Sequence, residues 1–91
     1  MTYVICYDIT ENKIRNRAAE YLKGIAYRIQ YSLFMAELDE KELEKLKLNL
    51  SWMTKIANEP LLMIVPVCKS CKQKMWKIGE TRESHRSSIV V

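Results

Sequence analysis

The chain has 91 residues, 48% hydrophobic and 29% charged, with two Gly and two Pro, which excludes disordered and fibrous classes and leaves room for one small core. Its net charge of +4 and pI near 9.0 favour a polyanionic partner. No stretch approaches the roughly 18 apolar residues that would span a bilayer, and no cationic leader precedes an apolar run. Three cysteines, Cys6, Cys68 and Cys71, leave an odd thiol in any pairing scheme. The expectation is therefore a cytoplasmic protein without membrane association or structural disulfides.

Residues 2–10, Thr-Tyr-Val-Ile-Cys-Tyr-Asp-Ile-Thr, read as a strand of β-branched and aromatic residues that ends at one acid, Asp8. A carboxylate at the tip of a buried strand is costly to desolvate unless a metal ion or a basic neighbour pairs with it. Thr10 fits an N-cap with Glu11 in the first turn, and Ile14, Ala18, Tyr21, Leu22 and Ile25 repeat at helical spacing, with Gly24 as the C-cap. Arg15 and Arg17 flank that apolar stripe on opposite sides, where they can straddle a phosphate chain near Asp8. Basic residues Lys13, Arg15, Arg17, Lys23 and Arg28 gather before residue 30, whereas acids concentrate between residues 37 and 59, so one end of the molecule should be basic.

Period-two alternation follows over residues 27–31, and its parity slips near Tyr31-Ser32-Leu33 before an apolar run to Leu38. Two strands joined by a tight turn, or one bulged strand, both account for this, and two strands are the reading adopted. Asp39 with Glu42 resembles a capping box, and Leu43, Leu46, Leu50, Met53 and Ala57 carry a second helix toward Asn58. Leu48 and Trp52 fall opposite its main stripe, as an apolar patch covered by a loop or the tail, or else as a docking surface. Residues 61–68 form a near-continuous apolar strand that Pro66 places at a sheet edge. Residues 69–74 read as a basic connector and 75–79 as a short further strand. Residues 80–91 read as a C-terminal extension whose apolar end, Ile89, Val90 and Val91, suits pairing with a sheet edge.

The order strand, helix, strand, strand, helix, strand predicts a ferredoxin-like α+β sandwich over residues 1–79, with an antiparallel sheet, both helices on one face and an extra C-terminal strand. The first and last main strands are apolar on both parities, yet two helices cover only one sheet face. A second copy, sheet to sheet in a two-fold homodimer, is expected on the other.

Few residues suit chemistry. His85 is the one histidine and lies in the polar tail, and two glycines cannot build a phosphate-cradling loop. Cys68-Lys69-Ser70-Cys71 supplies two of the four ligands that structural zinc needs, so the pair reads first as inert thiols near a strand end, ahead of a metal shared by two copies and of redox work. Asp8 is left with two readings: a salt bridge to Arg15, Arg17 or Arg28, or a magnesium site made by two Asp8 carboxylates across a dimer axis with phosphate and water.

Several ordered segments together resemble one family. Tyr7-Asp8-Ile9 at a strand end, Asn12-Lys13-Ile14-Arg15-Asn16-Arg17, Arg28-Ile29-Gln30-Tyr31-Ser32-Leu33-Phe34, Ile64-Val65-Pro66 and Ile78-Gly79 resemble the CRISPR-associated "Cas two" family. The resemblance implies a homodimer that acts in CRISPR adaptation beside the "Cas one" integrase, with metal-dependent endonuclease activity on single-stranded RNA or on DNA. It further implies that Asp8 is the catalytic and metal-binding acid, with magnesium or manganese as the ion. Tyr7, Arg15, Arg17, Arg28 and Phe34 are then linked to activity or to nucleic-acid contact. A non-catalytic, DNA-binding adaptor of the integration complex is the alternative.

Overall fold

A computed structural model describes residues 1–79. Strand β1 (Thr2–Asp8) leads into helix α1 (Asn12–Lys23), a hairpin of β2 (Tyr27–Gln30) and β3 (Leu33–Glu37), helix α2 (Glu40–Met53), strand β4 (Leu61–Val67) and a short helix, α3 (Lys69–Gln73). The sheet is antiparallel in the order β2-β3-β1-β4, the α+β ferredoxin-like architecture expected from the order of elements. β1 is central because it pairs with β3 from Thr2↔Glu37 to Cys6↔Leu33 and with β4 from Thr2↔Val67 to Asp8↔Leu61.

Side chains alternate along each strand, so one parity faces the helices and the other does not. Ile5 and Tyr7 from β1 and Phe34 and Ala36 from β3 pack with Ile14, Ala18, Ala19 and Leu22 of α1 and with Leu46 and Leu50 of α2. The opposite face carries Val4, Cys6 and Asp8, then Met35, and on β4 Leu61, Met63 and Val65, the last three exposed. β4 is thus an edge strand, as Pro66 requires, and in the single chain it is covered on one face only.

Local chemistry sets the element ends. Asp39 and Glu42 form the capping box: the Asp39 carboxylate accepts the Glu42 N–H at 2.8 Å, and Glu42 accepts the Asp39 N–H at 2.9 Å. α2 stops at Met53, earlier than the apolar spacing to Ala57 predicts, because the Thr54 hydroxyl donates to the Leu50 carbonyl at 2.8 Å and a turn follows. The N-cap of α1 is Glu11, not Thr10; the Glu11 carboxylate turns away from the helix and accepts the Asn58 N–H at 2.8 Å. Ile25 lies past the helix and is exposed. The parity slip resolves into two strands: Tyr31 takes φ +33 in the turn, and the register shifts between Arg28 and Gln30. The expected basic connector is the helix α3, whose N-cap is Cys68. Residues 75–79 form no strand within the single chain. The extension over 80–91, with His85 and the apolar end at Ile89, lies outside the described residues. Among the described residues no helix is long and apolar enough to cross a membrane.

Candidate functional site

The chain reverses direction at the C-terminal tip of β1, and this end of the molecule gathers most of the residues singled out from the sequence. Asp8 closes β1 opposite Leu61, on the face away from the helices. It is exposed, so the premise of a buried charge needing a partner does not hold. Among the described residues it has no ion pair within 4.0 Å, and the salt bridge to Arg15, Arg17 or Arg28 is not formed.

Tyr7 points the other way, since neighbours on a strand occupy opposite faces. Its ring is buried and stacks on fully buried Phe34, with centroids 6.2 Å apart and planes at 23°. Arg28 lies across the sheet from Phe34, with its guanidinium carbon 5.4 Å from the ring centroid and its Nε–H donating to the Tyr31 carbonyl at 3.0 Å. Burial raises the Tyr7 hydroxyl above its ordinary value, and a hydrogen bond to Arg28 opposes that rise. Tyr7, Phe34 and Arg28 therefore form one packed unit that fixes the β2–β3 turn against the tip of β1.

Arg15 is also turned inward. One terminal nitrogen donates to the Ile9 carbonyl at 2.9 Å and to the Thr10 carbonyl at 3.3 Å, and the other donates to Asn12 Oδ1. These bonds satisfy carbonyls of the β1–α1 loop that lie outside any ladder. Arg17 is exposed and lines an open groove of about 590 Å³ with Trp52, Met53, Lys55 and Ile56. The two arginines thus do not straddle one ligand: Arg15 holds the loop behind Asp8, and Arg17 faces the end of α2.

Two features at this end escaped the sequence reading. Lys55 places its ammonium 5.2 Å from the Trp52 ring centroid, and Tyr31 is 64% exposed at the hairpin turn. The i, i+3 spacing of Trp52 and Lys55 carried the first signal. The antiparallel return of α2 to the β1 tip, which no local pattern encodes, makes it relevant. Leu48 and Trp52 lie on the outward side of α2 and stand exposed, so among the described residues no loop covers them.

The sequence matches the family model described as CRISPR associated protein Cas2 over residues 1–75. It is 34% identical over 87 residues to the CRISPR-associated endoribonuclease Cas2 2 of Methanospirillum hungatei, covering 96% of each chain. A shorter alignment, 38% identical over 47 residues, reaches the CRISPR-associated endoribonuclease Cas2 2 of Thermodesulfovibrio yellowstonii and covers 52% of each chain, about half of that relative's length. The crystal structure of Streptococcus pyogenes Cas2 superposes with a TM-score of 0.72 at 20% identity, covering 87% of this chain and 100% of that one, a likeness of fold.

Proposed function

Because the chain belongs to the CRISPR associated protein Cas2 family, we propose that it is a metal-dependent endonuclease of single-stranded RNA or of DNA. It acts as a homodimer beside the Cas one integrase during spacer acquisition. The observation that carries this reading is the exposed Asp8 carboxylate at the end of a sheet face whose outer strand leaves Leu61, Met63 and Val65 uncovered. A second copy laid on that apolar row brings in a second Asp8.

The donor set supports such a site as half of one. Among the described residues no three His, Cys, Asp or Glu side chains gather around a metal position, so one chain offers Asp8 alone. Magnesium binds through one or two carboxylates and substrate phosphates while keeping several waters, which suits Asp8 from each protomer. The ion supplies charge stabilisation on the phosphate and a more acidic bound water. The chain's own residues do the rest. Lys13 and Arg17, both exposed on α1, attract and orient the phosphate backbone. Arg15 holds the loop after Asp8, and the Tyr7–Phe34–Arg28 unit keeps the strand tip rigid.

The test is cleavage of labelled single-stranded RNA and duplex DNA by wild type and Asp8→Asn, with magnesium, manganese or chelator. Activity that requires both the ion and Asp8 is expected; undiminished cleavage by the folded variant would overturn the proposal. A non-catalytic adaptor that holds duplex DNA is the second reading, favoured by exposed Lys13, Arg17 and Lys55 beside the exposed Trp52, none of which needs Asp8. In that case Lys13→Glu with Arg17→Glu blocks spacer integration while Asp8→Asn does not.

A further inference from the structure

Cys68 and Cys71 lie at the end of the sheet opposite Asp8, where β4 passes into α3. Both thiols are free and exposed, whereas Cys6 in β1 is half-buried. On the sequence alone, inert thiols are the leading reading of the pair. The local geometry changes that reading. Cys68 is the N-cap of α3, with extended backbone at φ −68 and ψ 166, and its sulfur accepts the Cys71 N–H at 3.4 Å. Ser70 Oγ lies 3.3 Å from the same sulfur. Two hydrogen-bonding groups thus converge on one thiol, a setting that favours the thiolate.

Cys71 is also within reach. Side chains three apart on a helical turn stand about 5–6 Å apart at Cβ, and a disulfide needs about 4 Å. Cys68 stands outside the helical dihedrals, and the Cys71 N–H already meets its sulfur at 3.4 Å, which keeps the two residues on one tight turn.

We propose that Cys68 and Cys71 form a redox-active dithiol, with Cys68 as the attacking thiolate, Cys71 as the resolving thiol and a low-molecular-weight disulfide as the oxidant. In the first step the Cys68 thiolate attacks one sulfur of the reagent. A mixed disulfide forms, the reagent's S–S bond breaks, and one thiolate leaves. Cys71, deprotonated by solvent, then attacks the Cys68 sulfur, expels the second reagent thiolate and closes the intramolecular disulfide. The protein loses two electrons and two protons, and the reagent is reduced to two thiols. The acidities agree with this division of roles: hydrogen bonds from Ser70 and from the Cys71 amide lower the Cys68 thiol to about 7, and the adjoining Cys68 sulfur holds Cys71 up.

The experiment uses the reduced full chain and glutathione disulfide, read by mass spectrometry of the intact protein and its peptides. Wild type should lose two hydrogens and carry a Cys68–Cys71 link, with Cys6 still reduced. Cys71→Ser should instead accumulate the glutathione adduct on Cys68. In wild type, iodoacetamide at about pH 7 should alkylate Cys68 roughly three- to tenfold faster than Cys71, the extra thiolate outweighing its weaker nucleophilicity. That measurement needs no variant to fold. A stable glutathione adduct on wild type, a disulfide joining two chains, or faster alkylation of Cys71 would each overturn the assignment.

Discussion

Replacing Phe34 by alanine separates two roles for the residues around the β1 tip. The Phe34 ring is fully buried, stacks on Tyr7 at 6.2 Å and lies under Arg28 at 5.4 Å. Truncating a ring in such a site costs about 3–5 kcal/mol through lost transfer energy and the cavity left behind. A chain of 91 residues has about 5–14 kcal/mol of stability at roughly 0.05–0.15 kcal/mol per residue, so the loss is about a fifth or more. With a urea slope of about 1.5 kcal/mol per molar, the unfolding midpoint should fall by roughly 2–3 M. Phe34→Leu keeps most of the volume and should cost about 1–2 kcal/mol, leaving a folded protein that still cleaves nucleic acid. Urea titrations at one protein concentration, with cleavage measured beside them, read both quantities. A Phe34→Ala protein with the wild-type midpoint, or a stable Phe34→Leu protein without activity, would refute the argument that the ring acts through packing.

Other substitutions test neighbouring parts of the account. Met63→Arg puts a charge on the exposed row of β4; it should leave the circular-dichroism spectrum unchanged, yield monomers in sedimentation and abolish cleavage, whereas an intact dimer would count against the sheet-to-sheet arrangement. Arg15→Gln loses the charged bonds to the Ile9 and Thr10 carbonyls and should cost about 1–2 kcal/mol, with faster amide exchange in the β1–α1 loop. Arg17→Ala should leave stability within about 0.5 kcal/mol and lower the salt slope of nucleic-acid binding by about one. The Asn58 N–H holds the Glu11 carboxyl below its ordinary 4.5. Since the folded value is depressed, this tie stabilises fully above pH 4.5 and is lost as pH falls through the folded value. Glu11→Gln should therefore flatten the acid limb of a stability profile, and an unchanged limb would show that the carboxylate does not matter there.

The strand and helix order, the capping box at Asp39, the edge position signalled by Pro66 and the outward Leu48 and Trp52 were all legible in the sequence, because each rests on periodicity or on one residue's backbone chemistry. The helix α3 was not: it is one turn long, and its cap is a cysteine rather than a Ser, Thr, Asp or Asn. The start of α1 was misplaced by one residue because the partner of Glu11 is Asn58, remote in sequence. For the site, residue types were legible but not all of their directions. Alternation alone separates Asp8 from Tyr7 onto opposite faces. That Arg15 satisfies backbone carbonyls instead of pointing outward follows from the loop's geometry, which composition does not carry.

The position of β1 in the sheet has a consequence for how the chain assembles. Its ladder partners are a hairpin strand and β4, and β4 is synthesised only after both helices. Until residues 61–67 arrive, β1 is itself an edge, with its backbone amides and carbonyls unpaired along one side. Closure of this long loop is the entropically costly step, so the sheet completes late and folding is slower than the two helices alone would allow. A chain interrupted before β4 presents its most β-prone segment as a bare template, and such fragments should be found in the insoluble fraction.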